Sequence, residues 1–389
     1  MQNKFILDSE KWLSKPRILC GLMTGTSLDG IDVAICSFSN SERKHSFKLI
    51  AFQTYPFSNE IRTILKEIIS KKRFVDDVSF IHFALSKIYA DAITDLCEKS
   101  LVELKDIDAI GMHGQTVWHQ PKQKEIDRLR ISSTFQLGSG SYLAKLLDIP
   151  VVYDFRSADI ALGGQGAPLV PIFDYNFLRS ENENVACLNI GGISNITYLP
   201  KNCSTSDVIA FDTGPGNVWI DLIANEFFNL NFDENGKYAR LGKINIPLLN
   251  KLKNIDFINL KPPKSTGREL FNRETLYNLI SNEQKNDILA TLTYFTAWSI
   301  AENIKIFLKQ VDGVILSGGG ANNLYLIELL KKELPKVAFK ISDEFGINSD
   351  AKEAICFAYL AYRTLAGLPG NICSVTGASK ETILGAIAI

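Results

Sequence analysis

A strand, a glycine turn, two further strands and a helix occur twice in this chain, roughly 170 residues apart, and that repeat limits it to a duplicated α/β fold. In the first copy an apolar run, Ile18 to Met23, enters a turn of glycine, threonine and serine, Thr24 to Gly30. Ile31 to Phe38 leaves the turn, Phe47 to Tyr55 follows, and a helical pattern covers about Ser58 to Ser70. In the second copy Val185 to Ile190 enters a Gly-Gly turn and Ile193 to Leu199 leaves it. Val208 to Phe211 comes next, then a helical pattern from about Asn217 to Phe228. Beyond it the spacing predicts a long helix, Lys285 to Lys309, and a strand, Val311 to Ser317, that runs into three glycines. A helix (Asn322 to Leu334), a strand (Val337 to Ile341) and a helix (Ala351 to Ala366) complete the pattern, the last ended by Gly367 and Pro369.

At about 150 residues per domain, 389 residues fit two or three domains. The stretch Ser157 to Pro171, with its Gly-Gly-Gln-Gly, is the expected crossing between lobes. This predicts an N-terminal lobe over 1–155 and a C-terminal lobe over 156–369, with 370–389 a candidate to return to the first. No charge block or low-complexity linker separates them, so the lobes are expected to pack and hinge. A composition of 46% hydrophobic and 22% charged residues is that of a globular protein. The formal net charge of -1 gives no electrostatic reason to expect nucleic acid or an anionic membrane as partner.

No run of about 18 apolar residues exists, so no membrane span is expected. The leader has only three consecutive apolar residues, Phe5 to Leu7, too few for a secretory signal, and a cytoplasmic protein is expected. A flexible leader and one docked through Phe5 and Trp12 both fit. The seven cysteines are odd in number and form no CxxC, so they read as small buried hydrophobes in a reducing compartment.

Several segments can carry chemistry. Gly25, Thr26, Ser27, Leu28, Asp29, Gly30, Ile31 and Asp32 form a glycine-rich turn whose backbone N–H groups can approach an anion. Asp29 could hold Mg²⁺ through water. The same residues also suit a plain tight hairpin, and no Gly-Lys-Ser/Thr makes this a Walker A loop. Gly191 and Gly192 occupy the equivalent turn of the second copy. Gly318, Gly319 and Gly320 stand at a strand end before a helix, where a nucleotide can lie flat and the helix dipole favours phosphate. Asp212, in Phe-Asp-Thr-Gly-Pro-Gly-Asn, is the best general-base candidate, at the carboxyl end of a strand. His113 and Gln115 belong to a loop expected to line the site, where a purely structural loop fits as well. His113 and His119, without acidic or cysteine neighbours, make a poor metal site. His45 and His82 read as structural or surface. Glu353 opens a helix, where a first-turn acid is favourable in itself.

Taken in order, GLMTGTSLDGID, GMHGQTVWHQP, YDFRSADIALGGQGAPLVP, LNIGGISNITYL, FDTGPGN, PPKSTGRELFN, SGGGANN and LPGNICSVTGAS resemble the anhydro-N-acetylmuramic acid kinase family, from about residue 18 to the end. The resemblance implies two ribonuclease-H-like, actin-like lobes with a central cleft for ATP and Mg²⁺. It implies phosphate binding by residues 25 to 32, with Gly191, Gly192 and Gly318 to Gly320 completing the nucleotide site. It gives Asp212 as the catalytic base. Glu353, Arg156 of the DFR segment, Gln115 and Gln136 become contacts of the sugar. The implied reaction is ATP-dependent opening of 1,6-anhydro-N-acetylmuramic acid and phosphorylation of its 6-oxygen, in recycling of cell-wall fragments. Two departures keep a kinase of another sugar as the alternative. Ser157 and Ala158 stand where family members often carry a longer basic run, and Gln136 to Ser141 depart from GNPA or GDPA. An actin-like or chaperone-like ATPase would need filament or peptide-binding segments, and none is visible. A homodimer is kept open as the assembly.

Overall fold

The computed structural model describes residues 8–25, 28–41, 44–267, 269–281 and 283–389. The chain divides into two compact units. One runs to Phe177 and resumes at Ala351, and the other is Leu178–Asp350.

In the first unit β1 (Arg17–Met23), β2 (Gly30–Ser41) and β3 (Lys44–Pro56) form an antiparallel meander. Then β4 (Ala109–Met112) pairs parallel to β1. A separate two-stranded hairpin, β5 (Gln115–Ile126) and β6 (Leu129–Leu137), follows where the sequence suggested only a loop. β7 (Val151–Tyr153) pairs parallel to β4, and the last strand, Ala386–Ala388, closes the edge antiparallel to β7. The sheet thus reads Ala386–Ala388, β7, β4, β1, β2, β3.

Strand side chains alternate between faces. Cys20 and Leu22 of β1 enter a core with Ile81, Leu85 and Tyr89 of the helix Val75–Ser100. Gly21 faces the other way, onto the helix Lys352–Leu365. Gly21 and Gly111 are register partners across β1 and β4. A Cβ on Gly21 would overlap the Ala354 carbonyl, and one on Gly111 the Phe357 carbonyl. Two adjacent glycines and the small residues Ala354, Ala358 and Ala361 therefore let the helix lie directly on the strands.

The second unit is wired alike. β8 (Val185–Ile190), β9 (Ile193–Leu199) and β10 (Ile209–Pro215) are antiparallel. β11 (Gly313–Ser317) pairs parallel to β8, and β12 (Ala338–Ile341) parallel to β11. The order β10-β9-β8-β11-β12 repeats β3-β2-β1-β4-β7 of the first unit, which is the duplicated ribonuclease-H-like arrangement. The helix Lys285–Phe307 is buried between two apolar clusters, one beneath the sheet and one around Trp219.

The sequence draws its boundaries at 155/156 and 369/370, whereas the contacts divide the chain at 177/178 and 350/351. Side-chain ties explain the difference. Asp159, fully buried, accepts from Asn371 Nδ2 (2.8 Å), Thr376 Oγ1 (2.7 Å) and the Gly166 N–H (2.8 Å), so the Gly-Gly-Gln-Gly segment is bound to the C-terminal stretch. Asp174 and Lys352 form a buried ion pair at 2.8 Å. The described part of the leader docks: Trp12 Nε1 donates to the Tyr362 carbonyl at 3.2 Å, and the Arg17 guanidinium lies 4.5 Å from the Trp12 ring centre. Phe5 lies outside the described residues.

Candidate active site

In the second unit the site grows from a bulge. The β10–β9 register shifts between Asp212 and Gly214; next to the shift Thr213 is buried and Asp212 half-buried. Thr213 Oγ1 and Ser194 Oγ share a hydrogen bond of 2.5 Å. The Thr213 carbonyl accepts from Ser299 Oγ (2.6 Å) and Asn303 Nδ2 (3.2 Å), and the Gly216 carbonyl from Thr296 Oγ1 (3.0 Å). Thr296, Ser299 and Asn303 lie on one face of the helix Lys285–Phe307, so one helix face fixes the strand end that carries Asp212.

A second segment grips the same residue. The Asp212 N–H donates to the Lys264 carbonyl (3.0 Å), and its carboxylate accepts from the Thr266 N–H (2.8 Å). Burial pushes the Asp212 carboxyl up to about 7; Glu269 adds to the rise, while the Thr266 N–H and the Lys264 cation oppose it. A carboxyl there is poised at neutral pH, the range suited to a general base. Lys264 is itself buried, and its ammonium donates to the carbonyls of Phe257 (3.2 Å) and Ile258 (2.8 Å). Burial lowers it to about 8, against the pull of Asp212.

The glycine turns of this unit converge. The N–H groups of Gly216 and Asn217 donate to the carbonyls of Gly192 and Gly191, at 2.9 and 2.8 Å. Gly318 has a φ of +79°, which an L side chain resists, and it packs against Ile190 at the end of β8. A cavity of about 420 Å³ opens beside them, lined in part by Asn217, Phe232, Asn235, Gly319, Asn322 and Asn323. Its size suits a small ligand, and its amide-rich wall offers both donors and acceptors.

In the first unit Thr26 and Ser27 lie outside the described residues. The Gly25 carbonyl accepts from the Leu28 N–H (3.3 Å) and from Gln115 Nε2 (3.2 Å). Leu28 and Ile31 bury their side chains in the core, so only their backbone can meet an anion. Asp29 is exposed, Gly30 begins β2, and Asp32 accepts from Thr54 Oγ1 at 2.6 Å. Gln115 is fully buried and its Oε1 has no partner among the described residues. An orphaned buried acceptor of this kind calls for a ligand or a water.

Arg156 donates to His113 Nε2 (2.8 Å from Nη2) and to the Gly166 carbonyl (3.1 Å). Burial lowers Arg156 to about 10, opposed by the Glu353 charge. Burial also holds His113 well below the usual histidine range, with Arg156 adding to it, so its ring is neutral. Glu353 is raised by burial and then by Asp32, against Lys352 and Arg156. Arg156, Glu353 and Asp32 therefore share one field. Gln136 pairs with Thr116 beside Gln115, and its amide donates to Thr134 Oγ1 (2.7 Å) and Thr116 Oγ1 (3.2 Å) of its own hairpin. Among the described residues no group of three or more His, Cys, Asp or Glu could hold a metal ion.

Sequence reasoning missed Lys264 and Thr266, although it quoted their segment, and it missed the Asn-rich wall of the cavity. A lysine followed by Ser-Thr-Gly gives no sign of burial, and Phe232 and Asn235 come from a loop without pattern.

A model described as Anhydro-N-acetylmuramic acid kinase matches residues 17–389. A protein of Caldanaerobacter subterraneus subsp. tengcongensis with that name is 40% identical over 384 residues, covering 96% of this chain and 97% of its own length. One of the same name from Clostridioides difficile is 41% identical over 374 residues, 94% of this chain and 97% of its own. A third, from Bacillus cereus, is 40% identical over 378 residues, 95% of this chain and 98% of its own.

Proposed function

The chain belongs to the anhydro-N-acetylmuramic acid kinase family, and from that premise we propose how its residues divide the work. The enzyme is an ATP-dependent sugar kinase. It opens 1,6-anhydro-N-acetylmuramic acid with water and phosphorylates the 6-oxygen, giving N-acetylmuramic acid 6-phosphate and ADP. The observation that carries the residue assignment is Asp212, at the bulged end of β10 with its carboxylate held by the Thr266 N–H.

In an ordinary sugar kinase the base takes a proton from the attacking hydroxyl. Here the 6-oxygen is locked in an ether bridge and has no proton to give. Asp212 therefore takes its proton from water, whose oxygen bonds to the anomeric carbon. The bond from that carbon to the 6-oxygen breaks, and the released oxygen takes the γ-phosphoryl group as ADP leaves. Coupling the two halves avoids a free alkoxide. Within the second unit, Gly191, Gly192 and Gly318 to Gly320 offer backbone to the phosphates; within the first, the turn that leads into β2 is the phosphate-binding segment. The cavity beside Gly319 suits the nucleoside of ATP. Arg156, Glu353 and Gln115 are the sugar contacts, the last through an Oε1 that has no partner among the described residues. We place the reaction in the cytoplasm, where ATP is supplied. No described helix is long and apolar enough to cross a membrane.

Mg²⁺ fits Asp29, since one exposed carboxylate beside a phosphate-binding turn is a sufficient protein share for an ion that keeps most of its water. Bound there, it would neutralise charge on the phosphate oxygens. Asp29→Asn is expected to lower turnover and to need more Mg²⁺ for half-maximal rate. A Mg²⁺ titration that superimposes on the wild type would remove Asp29 from the site.

The test of the reaction path is isotopic. In oxygen-18 water the label is expected on the anomeric hydroxyl and not in the phosphate. Free exchange at the anomeric position must be outrun, so the product is trapped early by reduction. Label in the phosphate overturns the path. A panel of sugars scored by ADP release separates the anhydro sugar from other sugars as substrate.

A further inference from the structure

We propose that Lys264 is the positioning residue of the base: its ammonium, anchored on the carbonyls of Phe257 and Ile258, holds residues 264 to 266 so that they grip Asp212 at both backbone and carboxylate. The proposal rests on Asp212 being the base. It starts from an oddity of burial. Lys264 is 8% exposed and lies near three aromatic rings, with Nζ 5.0 Å from the centre of Phe257, 5.2 Å from Phe307 and 6.0 Å from Phe211. An ammonium loses much hydration there, and proteins keep one in such a place only when it is paired.

Its hydrogen-bond partners are two consecutive carbonyls in the short helix Asp256–Asn259. Those bonds fix where residue 264 stands. The Lys264 carbonyl then receives the Asp212 N–H, and two residues on the Thr266 N–H meets the carboxylate. A neutral side chain of similar length could fill the space but could not satisfy both carbonyls or supply a positive field. Among the described residues, the charged groups that bear on Asp212 are Lys264, which favours its ionised form, and Glu269, which opposes it. Loss of the Lys264 charge removes a cation that offsets Glu269 and frees the segment that carries Thr266.

The test is the pH dependence of kcat with saturating Mg-ATP and sugar, for the wild type, Lys264→Met and Lys264→Arg. The wild type is expected to show an acid limb near about 7 and an alkaline limb near about 8, where the ammonium loses its proton. In Lys264→Met the acid limb moves up, the alkaline limb disappears, and kcat at pH 7 falls by about fivefold for the first unit the limb moves and about tenfold for each further unit. KM for ATP stays within about twofold, because the glycine turns are untouched. Lys264→Arg keeps its charge, retains the acid limb and moves the alkaline limb out of range. If Lys264→Met fails to fold, Lys264→Arg decides: an acid limb that moves although the charge is kept overturns the proposal. So does a Lys264→Met enzyme that melts like the wild type with its acid limb unmoved, or that loses the same factor at every pH. An unmoved limb beside an inactive Asp212→Asn removes Lys264 and leaves the base in place.

Discussion

Replacing Asp212 with asparagine is expected to cut turnover by about 10²- to 10⁴-fold while ATP still binds. Asparagine keeps the shape and can still accept from the Thr266 N–H, but it cannot take a proton from water. The glycine turns proposed to hold the phosphates are built from backbone and do not depend on that carboxylate. Stability supplies a second readout of opposite sign. The Asp212 carboxyl is raised from 3.8 to about 7 in the folded chain. Between those values the folded state holds a proton that the unfolded state has lost. Stability therefore falls as pH rises through that window, and above it the ionised carboxylate is a net cost. Asp212→Asn has no such cost, so its melting temperature relative to the wild type is expected to rise from pH 5 to pH 8. An inactive variant that is also more stable at pH 8 has lost chemistry and kept its fold. Full activity, or a relative loss of stability at pH 8, would contradict the assignment.

Gly111→Val is expected to destabilise the first unit by about 1–3 kcal/mol or more, seen as a lower denaturant midpoint. A Cβ there meets the Phe357 carbonyl, which is helix backbone and cannot rotate away. Gly21→Val acts on the same helix one strand over, through the Ala354 carbonyl. The two effects are not expected to add, since one outward shift of the helix relieves both clashes. That helix carries Glu353 in its first turn, so a folded variant is also expected to show a raised KM for the sugar. Gly313 serves as control, because the nearest atom to its Cβ is 3.9 Å away. A Gly111→Val midpoint equal to that of Gly313→Ala would mean that the helix does not sit as described.

The repeat was legible because it is local. Apolar runs of strand length end at glycine turns, and β1, β8, β9 and β11 fall within two residues of the runs that foretold them. Asp212 was legible for the same reason, as a carboxylate at a strand end. Its grip was not. Thr266 is 54 residues away, and nothing in the chemistry of a Pro-Lys-Ser-Thr segment says which strand it meets. The helix Lys352–Leu365 was predicted within a residue at each end, yet its periodicity cannot say which sheet it covers. Only the facing glycines, Gly21 and Gly111, decide that, and they lie some hundreds of residues upstream. The β5–β6 hairpin escaped because its outer half is polar and shows little alternation.

The division of the chain also sets an order of assembly during synthesis. The second unit is one uninterrupted segment, Leu178–Asp350, inserted into the first. Every strand of its sheet has been made once Ile341 has left the ribosome. The first unit begins earlier and finishes later, because its covering helix starts at Lys352 and its edge strand is Ala386–Ala388. Until those emerge, one face of its nascent sheet, the flat of Gly21 and Gly111, has no helix to cover it. The half-made lobe is then the aggregation-prone species, and the lobe begun second is the first to be complete.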